Sequence, residues 1–200
     1  DRSATLKGTV VIADVADNAG GGAPSDSSFV LERMIARGVR DAAIGHVWDP
    51  VAVALCTEAG EGAVLDLRIC GKMGPASGRP IDLRATVRRI VPGHSQTGLG
   101  GTPVPMGDSV WISAEGIDIV LTTDRTQPFH PDGFTGLGIP LSDCRIIVVK
   151  SMQHFYAAFA PLAEEVLYVT TPGAIPPDFA TLPLTRRSTP WWPLHENPHV

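Results

Sequence analysis

An acidic, glycine-rich segment directly follows the first apolar run of the chain. Residues 8–15 read GTVVIADV, which predicts a strand buried on both faces. The candidate binding residues at and after the end of this strand are Asp14, Asp17, Asn18, Gly20, Gly21 and Gly22. Glycines let backbone N–H groups approach an anion or a polar substrate, and a helix beginning after them adds a positive dipole end. The alternative is a flexible turn in which Asp and Asn bond their own backbone.

The spacing of these glycines does not favour a nucleotide site. It matches neither GxGxxG, with an acidic residue about twenty positions later, nor GxxxxGK[ST]. Ser27 or Ser28 is expected to cap the helix that follows.

A second group of polar residues follows another buried run. Residues 145–149 read RIIVV and predict a strand that delivers Lys150 and Ser151, with His154 opening a helix over 154–165. A buried Lys is costly and needs a partner. Ser151 either caps this helix or takes part in binding. Ser and His three residues apart at a helix start lack the geometry of a nucleophile and its base, which argues against a serine hydrolase.

Two further segments lie between these groups. Residues 96–108 (QTGLGGTPVPMGD) predict a long glycine-rich loop of the kind that often lines sites. The segment 123–127 (TDRTQ) ends another strand, and Arg125 in it could clamp a carboxylate or form a surface ion pair. The six histidines form neither HExxH nor HxH, and zinc needs three or four converging ligands, so we expect no metal site wholly within this chain.

The composition is that of a globular domain and excludes several classes of protein. The 200 residues are 44% hydrophobic and 18% charged, with a net charge of −5 and no basic stripe for nucleic acid. Three scattered cysteines without CxxC spacing favour a reducing compartment, and we expect a cytoplasmic protein. No apolar run is long enough to span a membrane. Because the chain opens with Asp1 and not Met, we expect it to be a piece of a longer polypeptide.

The order of elements predicts an α/β fold. A β-α-β-α order is followed by antiparallel hairpins and a closing β-α-β unit, which predicts a mixed sheet with parallel central strands and flanking helices. We expect one domain over residues 1–200, in which 172–200 form a tail rich in Pro and Trp that packs on the surface or on a partner. Ligands bind at the carboxyl ends of the parallel strands in such sheets, and both polar groups fall there.

Four stretches in this order resemble one family. They are residues 8–53, the QTGLGG stretch, the TDRTQPF stretch, and the run RIIVVKSMQHFYAAFAP with EEVLYVTTPGA. Together they are similar to the C-terminal domain of the microcystinase C (MlrC) family, the M81 metallopeptidases. The resemblance implies a two-domain bacterial hydrolase whose zinc ligands belong to an N-terminal domain absent from this chain. The name-giving member cleaves linearised microcystin peptides, but its substrate does not carry over to this chain.

The resemblance also implies roles for the matching residues. Asp17 and Asn18 are expected to hold a substrate amide or amine, while the glycine backbone and Ser151 or His154 hydrogen-bond a carboxylate or the oxyanion. The zinc of the absent domain would activate the water. The residues predicted as catalytic are Asp17, Ser151 and His154, and those predicted to bind substrate are Asp14, Asn18, Gly20, Gly21, Gly22, Lys150, Gln153 and Arg125.

Expected partners are the N-terminal domain of the same polypeptide and a small peptide or amide substrate. Two other functions stay open. One is a stand-alone module that binds a phosphate or nucleotide at the glycine loop. The other is a structural domain that forms a homo-oligomer through its Trp-rich tail.

Overall fold

A computed structural model describes residues 5–198, which form one eight-stranded sheet with helices on its faces. The strands are β1 (Val10–Asp14), β2 (Ala42–Trp48), β3 (Val64–Ile69), β4 (Ile81–Thr97), β5 (Pro103–Ala114), β6 (Ile117–Thr122), β7 (Ile146–Val149) and β8 (Glu165–Val169). They lie side by side in the order β3-β4-β5-β6-β2-β7-β1-β8. Pairing is antiparallel from β3 to β6 and parallel from β6 to β8. The predicted α/β fold with a mixed sheet is therefore confirmed.

Within residues 5–198, four α-helices flank this sheet. They are α1 (Phe29–Ala36), α2 (Pro50–Ala59), α3 (Asp132–Thr135) and α4 (Tyr156–Phe159). Asp49 caps α2 by accepting a hydrogen bond from the Ala52 N–H at 3.1 Å, and Pro50 occupies the first turn. Gly60 follows the helix with a φ of 84° and ends it.

Each face of the sheet carries its own apolar core. On one face α1 and α2 pack Leu31, Met34 and Cys56 against the strands. On the other face Phe134 of α3 and Phe159 of α4 meet the opposite side of the same strands. The central strands β1, β2 and β7 contribute apolar side chains to both cores, so both of their faces are buried. Their carboxyl ends are therefore held in fixed positions.

We call the edge formed by the ends of β1, β2 and β7 the carboxyl rim. β7 lies between β1 and β2, and Val149 of β7 is in register with both Ala13 and Gly45. The residues that follow, Asp14 and Lys150, therefore emerge side by side.

The segment 96–108 is not the loop that its glycines and prolines predict. β4 runs to Thr97 and β5 begins at Pro103, so that only a short turn joins them. Within this hairpin Gln96 pairs with Val104, and register shifts occur on both sides of His94. Strands can accept prolines and glycines where a ladder is irregular, which is why composition alone misplaced this hairpin.

The helix predicted over 154–165 is much shorter in the structure. α4 is followed at once by a 3-10 turn, Ala160–Leu162. Pro161 has no backbone N–H with which to continue the α-helical hydrogen-bond ladder, and the α-helix gives way to the 3-10 turn there.

The predicted serine caps are also wrong. α1 begins after Ser28 with no side-chain cap, and the Ser28 hydroxyl donates to the Ser77 carbonyl at 3.3 Å. The hydroxyls of Ser27 and Ser151 bond to residues of the candidate site described below.

The tail begins against the domain and then becomes exposed. The N–H of Ile175 donates to the carbonyl of Ala16 at 3.0 Å, whereas Trp192 is 64% exposed. No helix among residues 5–198 is long and apolar enough to cross a membrane.

β2 buries a histidine whose ring has no polar partner. The ring centroid of His46 lies 5.4 Å from that of Phe134, and neither ring nitrogen hydrogen-bonds any residue between 5 and 198. Burial lowers the pKa of His46 to about 3. His94 adds to this effect, while Asp132 and the Thr126 backbone oppose it.

We expect this buried histidine to make the domain lose stability in acid. The unfolded chain binds a proton at His46 near pH 6.5, whereas the folded chain binds none until about pH 3. The free energy of unfolding therefore falls by about 1.4 kcal/mol for each unit by which the pH is lowered in that window. In His46→Leu this loss is absent, so its unfolding free energy in urea should fall by about 2 kcal/mol less than the parent's between about pH 7 and pH 5. The control is His195→Leu at an exposed position, whose unfolding free energy should change with pH as the parent's does. If the unfolding free energy of His46→Leu also changed with pH as the parent's does, the lowered pKa of His46 would be contradicted.

Candidate functional site

The carboxyl rim is built around one buried lysine. The Lys150 ammonium donates to Asp17 Oδ2 at 2.8 Å and lies 3.5 Å from Asp14 Oδ2. It also donates to the carbonyl and the hydroxyl of Ser27 at 2.9 and 3.0 Å. Burial on its own lowers the pKa of Lys150, but the carboxylates of Asp17 and Asp14 outweigh it and raise that pKa. The lysine is therefore held charged, with the partner that a buried lysine needs.

The two carboxylates are also bonded to the chain around them. Asp17 accepts hydrogen bonds from the backbone N–H groups of Ser25 and Ser27 at 2.9 and 2.8 Å. Asp14 accepts from the hydroxyls of Thr171 and Ser27 at 2.9 and 3.2 Å. Both side chains are buried, and these bonds attach the loop after β1 to the ends of β7 and β8. All four carboxylate oxygens of Asp14 and Asp17 therefore have partners within the domain.

The glycine triplet forms a closed turn at the surface. Asn18 Oδ1 accepts from the Gly20 N–H at 2.9 Å, and the Asn18 carbonyl accepts from the N–H of Gly21. The N–H of Gly22 donates to the Ala19 carbonyl at 3.0 Å. Because all three glycine N–H groups are bonded within the turn, an anion could reach them only by displacing these bonds.

The glycines instead allow close packing. A Cβ on Gly20 would lie 2.7 Å from Cδ of Gln127, and one on Gly21 would lie 2.5 Å from Cδ1 of Ile175. The Gly20 position is thus too tight for any side chain unless Gln127 moves.

Gln127 joins the glycine turn to the segment after β7. Its Nε2 lies 2.8 Å from Nδ1 of His154, and its Oε1 accepts from the Ser151 hydroxyl at 3.1 Å. Gln127 and Ser151 are buried, whereas His154 is exposed. The structure therefore brings two predicted site residues together through a third that sequence reasoning did not single out.

The β4–β5 hairpin holds the backbone of this region. Gln96 Nε2 donates to the Gln127 carbonyl at 2.8 Å, and Gln96 Oε1 accepts from the Phe129 N–H at 2.8 Å. Phe129 in turn stacks on His154, with ring centroids 5.9 Å apart and planes 20° apart. The His154 ring is thus fixed by an edge contact and a face contact, and no described residue hydrogen-bonds its Nε2.

The other two predicted binding residues lie outside this cluster. The Arg125 guanidinium sits 4.5 Å over the Trp48 ring, a cation–π contact in place of the surface ion pair that was the alternative to a carboxylate clamp. Gln153 Oε1 accepts from the Tyr168 hydroxyl at 3.1 Å. Both side chains are exposed.

The described part of the chain places no metal-ligand cluster at the rim. No group of three or more His, Cys, Asp or Glu side chains among residues 5–198 is placed to hold a metal ion. An open cleft of about 480 Å³ lies at the opposite end of the parallel strands, near Asp41 and Cys144. Its lining mixes Arg84 and Arg88 with Asp118 and Asp143, so it offers no single charge to a ligand.

Removing the lysine should destabilise the domain strongly. Lys150→Met leaves two buried carboxylates without a cation, and we expect a loss of about 3–5 kcal/mol in urea unfolding. The control is Arg68→Met, which removes an exposed ion pair with Asp82 and should change stability little. A Lys150→Met variant as stable as the parent would show that the cluster does not hold the rim.

A single methyl group at Gly20 should disturb Gln127. Gly20→Ala places Cβ against the Gln127 amide, so we expect its side-chain NH₂ resonances to shift in ¹H–¹⁵N NMR spectra. Gly22→Ala is the matched control, because it strains a φ of 98° but meets no atom within 4 Å. Equal effects of the two variants on the amide of Gln127 would argue against the contact.

Comparisons with known proteins place this chain in one family. The family model described as the MlrC C-terminus matches residues 12–186. Microcystinase C from a Sphingomonas species is 36% identical over 185 residues, which are 92% of this chain but 36% of that protein. The crystal structure of a candidate metallopeptidase from Mesorhizobium sp. BNC1 has the same fold, with a TM-score of 0.83 at 24% identity over 96% of this chain and 39% of that one. The chain thus spans little more than a third of the relatives that it matches. It belongs to the MlrC C-terminus family.

Proposed function

We propose that this chain is the substrate-side, C-terminal domain of a longer zinc-dependent metallopeptidase or amide hydrolase that acts on peptides or related amides in the cytoplasm. Family membership and the identity with Microcystinase C support a hydrolase. The share of that protein left uncovered supports a further domain in the same polypeptide, which we take to be the main partner.

The observation that carries the proposal is the exposed imidazole of His154 at the carboxyl rim. In α/β sheets this edge is where ligands bind. Gln127 occupies Nδ1 and leaves Nε2 available to a substrate. A fixed N–H donor stabilises the oxygen of an amide as negative charge develops on it, and donors of this kind typically act from about 2.7–3.1 Å.

The remaining predicted residues take different parts in this proposal. Asp14, Asp17 and Lys150 hold the rim together, and Ser151 acts through the amide of Gln127. Asn18 closes the glycine turn, whose exposed tip of Gly20, Gly21 and Gly22 lies beside the Gln127 side chain. Gln153 and Arg125 are exposed and are proposed as outer substrate contacts.

Zinc does not fit the residues of this chain that the structure describes. Their His, Cys, Asp and Glu side chains are too dispersed to converge on one ion. We therefore assign zinc ligation to the rest of the longer polypeptide.

His154 can be tested in the full-length protein that carries this domain. We expect His154→Ala to lower kcat/KM by roughly 10²–10³-fold, because a preorganised donor to the oxyanion is lost. Probes would be an internally quenched peptide library and linearised microcystin, and bound zinc would be measured by atomic absorption. Zinc content should not change.

The control for this experiment is His195→Ala in the exposed tail. It should retain the parent's activity. Undiminished hydrolysis by His154→Ala would remove His154 from the site, and loss of zinc in that variant would contradict the separation of the two functions.

A further inference from the structure

We infer that Gln127 is a positioning residue that fixes the neutral His154 ring with its proton on Nε2, so that His154 meets its substrate as a hydrogen-bond donor. The contacts of Gln127 with His154 and Ser151 do not depend on the proposed function, whereas the role of Gln127 in catalysis rests on it.

The direction of the hydrogen bonds carries the inference. An amide NH₂ can only donate, so the Gln127 Nε2 contact at 2.8 Å requires a bare Nδ1 on His154. The proton of the neutral ring is then on Nε2. In this orientation both ends of the amide have a partner, because the Ser151 hydroxyl donates to Gln127 Oε1 at 3.1 Å.

Several elements keep the Gln127 amide in place. Gln96 of β4 holds its backbone carbonyl, and Gly20 closes against the side chain. The Phe129 ring lies nearly parallel to the imidazole, with the two ring centroids 5.9 Å apart. The donor orientation of His154 is therefore a product of the packing of four chain segments and not of one surface contact.

This orientation selects the class of substrate group that His154 can take. A ring that offers Nε2–H binds a carbonyl or carboxylate oxygen, and it cannot accept a proton from an amine or a water at that nitrogen. The substrate feature recognised here is therefore an oxygen acceptor, such as the carbonyl of the scissile amide or a neighbouring peptide carboxylate.

The inference is tested by long-range ¹H–¹⁵N NMR of the histidine rings in this chain. In the parent at mildly alkaline pH, His154 should show a bare Nδ1 and a protonated Nε2. Gln127→Glu should move the proton to Nδ1, because a carboxylate of the same shape can only accept. This variant is the decisive arm, since a free imidazole also favours the Nε2–H form.

Gln153→Glu is the matched control, since it adds the same charge one residue from His154 but on a side chain that bonds to Tyr168. It should leave the proton on Nε2, and thermal unfolding would verify that both variants are folded. A parent ring protonated on Nδ1, or a Gln127→Glu ring that keeps the parent's pattern, would overturn the inference.

Activity of the full-length protein separates this inference from the proposed function. With the same quenched peptides, Gln127→Glu should lower kcat roughly 10²-fold or more with a smaller change in KM. Ser142→Glu, at an exposed turn before β7, adds a negative charge far from the rim and should leave kcat unchanged. Full activity in Gln127→Glu would overturn the positioning role, whereas a parent that cleaves none of the peptides would overturn the proposed function and leave the proton assignment standing.

Discussion

The ion pair between the buried ammonium of Lys150 and the carboxylates of Asp17 and Asp14 is the interaction on which the carboxyl rim depends. Charges without water are tolerated only when partners surround them. Here the partners come from the end of β1, from the turn after it and from the segment before α1, while Thr171 ties in the end of β8. Separating any of these segments would leave a charge without its partners in an apolar interior, so they must assemble together.

The position of the catalytic candidate follows from that assembly. Once the loop after β1 is fixed, Gly20 lies against Gln127, and Gln127 reaches both Ser151 and His154. His154 itself precedes α4 and is exposed, so its own secondary structure does little to orient it. Its geometry comes from neighbours that are distant in sequence and held by the hairpin of β4 and β5.

Local pattern predicted most of the fold because the elements obey strong local rules. The apolar, β-branched runs at β1 and β7 depend on neighbouring residues only. The hairpin over 96–108 was missed because its strands contain prolines and glycines, and their pairing depends on tertiary contacts. The requirement that Lys150 have a partner was also readable, although the identity of that partner was not.

The roles of the site residues were harder to predict for a physical reason. Whether a carboxylate faces a substrate or an internal N–H depends on the path of the loop, and Asp17 looks the same in sequence in either case. Gln127 and Gln96 carry no sequence signal, since their amides act across 24 to 31 residues of chain. Only the folded arrangement distinguishes the buried, internally bonded Asp17 from the exposed His154.

The most direct test of this arrangement is a crystal structure of the longer polypeptide with a non-cleavable peptide analogue bound. We expect the carboxyl rim to face the bound peptide, with Nε2 of His154 within about 2.7–3.1 Å of a peptide oxygen. A peptide held elsewhere, with the rim turned toward solvent and His154 out of reach, would contradict the assignment of this edge as a wall of the active site.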